Sequence, residues 1–134
     1  MDAQNMTLYI TTCCQEKALD AEPIPAIERY LAPRIKQVYE ESRLAGAMFG
    51  ILSGKYGLIQ ASEPILWYDE VLTAPMLPLF TEMVKRQLAD LRVTTVHLFA
   101  KDYLKYPDWQ PYYQGLYLPC LSLGLTFVFR EITD

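Results

Sequence analysis

The chain is predicted to be an α/β domain, a three-layer α/β/α sandwich on a mainly parallel sheet of about four strands. Three observations lead there. Short β-branched or apolar runs alternate with amphipathic helical stripes along the chain. One run, AMFGIL at 47–52, is continuously apolar, the pattern of a parallel strand covered on both faces. The 134 residues, 51% of them apolar, are enough for one domain with its own core. No linker, internal repeat or low-complexity segment divides them, so 1–134 reads as a single domain.

The first strand is MTLYITT at 6–12, rich in β-branched and aromatic residues. Pro23 and Pro25 then punctuate a loop. Ile27, Leu31, Ile35, Val38 and Ser42 recur at steps of three and four, which is helical. Pro33 lacks an N–H and suits a first turn. The stripe therefore divides into a short turn ending near Ala32 and a main helix over 33–44. The apolar run at 47–52 is the second strand, and 61–72 an irregular segment. Residues 75–91 form the clearest helix, with Leu79, Met83, Val84, Gln87, Leu88 and Leu91 in one stripe. VTTVHLFA at 93–100 is the third strand.

The last third reads less simply. Residues 103–113 carry five aromatics, with Pro107 and Pro111 among them, and are expected to be irregular, partly exposed and in contact with a second copy of the chain. Residues 115–119 read as a short fourth strand. In the tail, 126–129 favours strand by propensity, whereas Leu121, Leu125, Val128 and Ile132 also fit a helical face.

Composition excludes some functions. No apolar run approaches the roughly 18 residues of a membrane span, and the N-terminus lacks the basic and apolar regions of a signal peptide. Three cysteines, two adjacent, make a poor disulfide framework; the expectation is a cytoplasmic protein. The net charge of -4 counts against duplex nucleic acid, whose binding is dominated by cations facing phosphates. It leaves room for a local cationic site.

In parallel sheets ligands collect at the carboxyl ends of the strands. There the sequence places Cys13-Cys14-Gln15-Glu16-Lys17, Ser53-Gly54-Lys55-Tyr56-Gly57 and Lys101-Asp102-Tyr103. Each segment carries a lysine. Gly54 and Gly57 would let a backbone curl under an anion while Lys55 and Tyr56 face it. Ser-Gly-Lys here is no Walker A motif, because the glycine spacing and the hydroxyl residue after lysine are missing. Lysines are also common in loops simply because loops are solvated. Cys13 is a candidate nucleophile beside lysines, although most free cysteines are small buried residues. His97 lies within a strand, and no close paired spacing suggests a metal site. No cofactor is indicated. Tyr68-Asp69 follows in the irregular segment, where Asp69 suits a base edge, a sugar hydroxyl or proton transfer. It equally suits a helix or turn cap.

These residues carry a resemblance. TCCQEK, ERYLAPRIKQVYE, ILSGKYGLI and WYDEVL together resemble the small bacterial DUF6884 family, itself distantly similar to the peroxide-stress protein YaaA. The matching positions are Cys13, Lys17, Tyr30, Ser53, Lys55, Tyr56, Gly57, Leu58, Tyr68 and Asp69. The chain departs from the pattern at Ala32-Pro33, where a serine is usual, and at Trp67, where a proline is usual. The resemblance implies a helix from about Leu121. It also implies a site for a nucleotide- or nucleobase-like ligand, in a base- or nucleoside-processing or nucleic-acid-modifying enzyme. Asp69 and Cys13 would be catalytic, and Lys17, Ser53, Gly54, Lys55, Tyr56, Gly57 and Tyr68 would bind the ligand. The alternatives are a DNA-associated stress-response protein and an accessory interaction domain without catalysis.

Overall fold

The computed structural model describes residues 6–132. It is a mixed α/β structure on a five-stranded, mostly parallel sheet. In chain order the elements are β1 (Thr7–Thr12), β2 (Ile24–Pro25), α1 (Ala26–Arg29), α2 (Pro33–Ala45), β3 (Met48–Ser53), β4 (Gly57–Ile59), β5 (Pro64–Ile65), α3 (Leu77–Leu91), β6 (Thr95–Ala100), α4 (Gln110–Leu123) and β7 (Thr126–Glu131). The sheet runs β4-β3-β1-β6-β7, and β2 and β5 form a separate two-stranded ribbon. β1 pairs in parallel with both β3 and β6, and β6 with β7. Within the five-stranded sheet only β4 runs antiparallel, against β3.

Strand alternation divides the core. Leu8, Ile10, Leu52, Val96 and Leu98 face α3 and α4, joining Phe80, Val84, Leu88, Leu116 and Cys120 in one cluster. Ile51 turns to the other face, where it packs with Ile35 of α2, Ile59, Ile65, Tyr30 and Tyr68. Among the described residues no helix is long and apolar enough to cross a membrane.

The predicted break at Pro33 is present. Pro33 opens α2 at its first turn, after the four-residue α1. Five expectations need correction. The sheet has five strands rather than about four: the residues after Tyr56 fold back on β3 as β4, with Ser53 opposite Gly57. Residues 103–113 are not irregular throughout, and 115–119 is not a strand. A 3-10 turn at Pro107–Trp109 runs straight into α4, and both the turn and the helix carry proline at their start, where no N–H donor is required. Leu116 and Cys120, four residues apart, enter the same core while Leu118 between them is exposed, a helical rather than a strand pattern. The tail is strand, not helix. α4 ends at Gly124 in the left-handed region, and Thr126–Glu131 pairs along β6, as its β-branched and aromatic residues favour. In α3, Phe80 rather than Leu79 faces the core; Leu79 is exposed.

Candidate functional site

A cleft of about 680 Å³ opens at the carboxyl ends of β1 and β6. Its position follows from strand order. The chain leaves β1 for β3 on one side, then crosses to β6 on the other. The loops after β1 and β6 therefore diverge, and the crevice between them is the place where open α/β sheets hold ligands. Cys13 and Lys17 enter it from the first loop, Lys101 from the second. Asp69 and Glu70 form another wall, and Trp109 and Tyr112 the side towards α4. The N-terminal ends of α2 and α4, at Arg34 and Gln110, also border it, with the positive ends of their dipoles.

Arg34 builds the floor. Its guanidinium donates to the Thr12 and Cys13 carbonyls at 2.7 and 3.0 Å and to Thr11 Oγ1 at 3.3 Å. It also lies over the Trp109 ring, 5.1 Å from the centroid. One side chain thus joins the end of β1 to the start of α2 and the aromatic wall. Beside it the Cys13 thiol lies 3.9 Å from the Tyr112 hydroxyl, which accepts the Leu72 N–H at 3.1 Å. Burial pushes the Tyr112 phenol above its ordinary range, so at neutral pH it keeps its proton and can donate. Cys14 donates instead to the Glu16 carbonyl, and burial raises its pKa, which leaves it a neutral thiol.

The Ser-Gly-Lys-Tyr-Gly segment has another construction. It is the β3–β4 hairpin, and its glycines are set by packing. A Cβ on Gly54 would lie 2.9 Å from the Leu72 nitrogen and 3.0 Å from the Tyr112 hydroxyl oxygen. Gly57 has φ +72°, and a Cβ there would run into the Gln87 side-chain oxygen. Gln87, from α3, clamps the hairpin: it accepts the Leu58 N–H at 2.8 Å and donates to the Tyr56 carbonyl at 3.1 Å. The Lys55 and Tyr56 N–H groups both turn inward to Ser53 Oγ, at 3.1 Å each, rather than outward to a ligand. Gly57→Ala is expected to cost about 2 kcal/mol of stability, from left-handed strain and the displaced Gln87 bonds. Urea unfolding measures it, and a shift under about 0.5 kcal/mol would show that the clamp contributes little.

Beneath the hairpin lies a buried chain of hydroxyls. Ser53 Oγ is 2.8 Å from the Tyr68 hydroxyl, which in turn bonds the Tyr30 hydroxyl. Burial drives both phenols far up, so they serve as neutral hydrogen-bonding groups. The Tyr68 ring carries Lys17 Nζ at 4.6 Å and Lys55 Nζ at 5.9 Å. Lys55 Nζ also pairs with the Glu70 carboxylate at 3.3 Å.

The structure therefore sorts the sequence-derived residues into two adjoining groups. Cys13, Lys17 and Asp69 line the cleft. Ser53, Gly54, Lys55, Tyr56, Gly57 and Tyr68 lie outside its lining, in the hairpin and the hydroxyl chain beside it. Lys17 belongs to both. The carboxylate paired with Lys55 is Glu70. Sequence reasoning passed over Arg34 and Glu70 as site residues, and it assigned Trp109 and Tyr112 to a surface or interface segment rather than to the site. For Arg34 no local signal existed, since an arginine after Pro33 reads as a solvated helix residue. Among the described residues no group of three His, Cys, Asp or Glu side chains is placed to hold a metal ion. No protein-family model, curated protein or solved structure matches this chain.

Proposed function

We propose that the chain binds a small anionic, nucleotide-like ligand in the cleft between the ends of β1 and β6, as a nucleobase- or nucleoside-processing or nucleic-acid-modifying enzyme. One observation carries the reading: the cleft lies at the point where the strand order reverses, bordered by Lys17, Arg34 and Lys101 and walled by Trp109. The cations and the helix N-termini suit a phosphate or carboxylate. The indole supports a planar group. Asp69 accepts a hydrogen bond from a base edge or moves a proton, and Cys13, next to the Tyr112 phenol, is the candidate nucleophile. In this reading the hairpin residues Ser53, Gly54, Lys55, Tyr56 and Gly57, with Tyr68, act by holding Lys17 and Glu70 in place.

The resemblance to the DUF6884 family supports the same ligand class and belongs to the same proposal. So does cytoplasmic residence, which suits three free thiols. The layering is read as an α/β/α sandwich, with α2 on one face of the sheet and α3 and α4 on the other.

Calorimetric titration with a nucleoside monophosphate, a free nucleobase and inorganic phosphate tests the reading. Saturable binding of the nucleotide, tighter than either fragment, is the expected result. Lys101→Ala is expected to weaken it about tenfold with an unchanged melting temperature, because a half-exposed lysine contributes little to folding. Absence of saturable binding for all three at millimolar concentration would sink it.

A further inference from the structure

The far end of the sheet carries a second feature, independent of the cleft. β7 is an edge strand. Its even-numbered residues bond inward: Thr126 N–H donates to the Thr94 carbonyl and Ile132 N–H to the Ala100 carbonyl. By the alternation of a parallel ladder, the N–H and C=O groups of Phe127, Phe129 and Glu131 point out from the sheet. Among the described residues no strand pairs with that edge. Natural edges are blunted by lysine, proline, a bulge or an inward-pointing charge. The sequence TFVFRE has neither lysine nor proline, and its six residues pair with β6 without a bulge from Thr126 to Glu131.

The helix beside this edge is also unfinished. Tyr113, Tyr117 and Leu121 follow each other at four-residue steps along α4. Tyr113 and Tyr117 stack on one another at 5.7 Å and meet Phe127 edge-on. Leu121 continues the row but is 63% exposed, and Leu118 beside it is 44% exposed. An open strand and an apolar helical row thus lie side by side.

We propose that the partner for this edge is a second copy of the chain, with β7 paired to β7 in antiparallel fashion about a two-fold axis, joining two five-stranded sheets into one. The strand is self-complementary in that arrangement. Setting Phe127 opposite Phe129 of the partner subunit aligns the outward groups of both chains, and each of these pairs exchanges two backbone hydrogen bonds. Val128 then meets Val128 of the partner subunit at the axis, and the aromatic pairs stack across the strands. The only charges of the strand, Arg130 and Glu131, lie at one end. Antiparallel pairing puts them opposite the neutral end, so no like charges meet, whereas parallel pairing would oppose them. The same axis brings the Leu118 and Leu121 region of one α4 towards that of the other. The net charge of -4 per chain acts mainly at longer range, where salt screens it. Of the aromatics at 103–113, expected to meet a second copy, Tyr103 packs on Tyr113 of its own chain at 4.9 Å; this proposal places the contact at β7 and the far part of α4.

Sedimentation equilibrium on the whole chain from 1 to 200 µM, together with amide hydrogen exchange, tests it. A dimer is expected, with the Phe127 and Phe129 amides protected to about the level of the Val128 amide. Leu118→Glu with Leu121→Glu, both on the exposed face of α4, is expected to weaken the dimer at least 30-fold. These substitutions should leave the circular dichroism spectrum and the exchange of β1 amides unchanged. A chain that stays monomeric at 200 µM overturns the proposal. So does a dimer that survives the double substitution, or one in which the Phe127 and Phe129 amides exchange freely, since either would place the contact elsewhere.

Discussion

Arg29→Ala is expected to lower the unfolding free energy by roughly 3–5 kcal/mol, more than any other single substitution proposed for this chain. Arg29 is fully buried. Its guanidinium donates to a set of carbonyls: Ala18 at 2.6 Å, Asp20 at 3.0 Å, Glu22 at 2.8 Å, and Ile65 at 3.0 and 3.3 Å. Those contacts gather the loop after Lys17 and tie it to β5. Alanine would strand several partly buried acceptors at once, and each unsatisfied group costs about 1–3 kcal/mol. The upper part of the sum is not reached, because water can enter from the exposed side of the loop. Domains of this size have total stabilities of about 5–15 kcal/mol, so the variant should be close to unfolding at 37 °C. Arg29→Lys keeps the charge but not the fork, and should recover less than half of the loss. Urea unfolding followed by tryptophan fluorescence checks both. A loss below about 1 kcal/mol would mean that solvent replaces the guanidinium at little cost.

The second large effect is expected at Arg34. Arg34→Ala should weaken nucleotide binding by about 10- to 100-fold, the equivalent of losing a charge-assisted hydrogen-bonded contact. It should also destabilise the fold by roughly 2 kcal/mol. The two losses have one source. The guanidinium fixes the Thr12 and Cys13 carbonyls and supports the Trp109 ring, so without it both the floor and the aromatic wall of the cleft loosen. Arg34→Lys retains a cation but cannot span two carbonyls and stack on an indole together. It should restore a smaller share of binding than of charge. Titration calorimetry paired with urea unfolding separates the two effects. If Arg34→Ala destabilises the fold while nucleotide affinity stays within twofold, the cleft is not where the nucleotide binds.

Much of the layout could be read locally. Pro33 divides α1 from α2 because a first turn accommodates a residue without an N–H. Strands β1, β3 and β6 were evident from β-branched and apolar runs, and α3 from its stripe, although Leu79 proved to lie outside that stripe and Phe80 inside it. The region from Tyr103 onwards is not legible locally, for a specific reason. Pro107 and Pro111 are helix breakers only in a helix interior, and the sequence does not say which turn they occupy. Thr126–Glu131 was drawn towards helix by family resemblance, while its own propensity for strand prevailed once β6 was available to pair with it.

What the sequence determined by itself was the class of fold and the edge of the sheet at which the cleft opens. Periodicity records how apolar residues are distributed about a layer, and that is a local property. Tertiary structure decided which polar groups turn inward. Ser53, Tyr30 and Tyr68 join in one buried chain only because the hairpin, α1 and the segment after β5 meet there. Gly54 and Gly57 looked like a ligand cradle, yet in the fold they make room for the Leu72 backbone and Gln87. Arg29 and Arg34 are buried because carbonyls converge on them, from the loop before α1 and from β5 for Arg29 and from the end of β1 for Arg34, and only the folded chain aims those carbonyls at the guanidinium groups. A polar side chain enters a core only where partners from elsewhere in the chain replace the water it gives up.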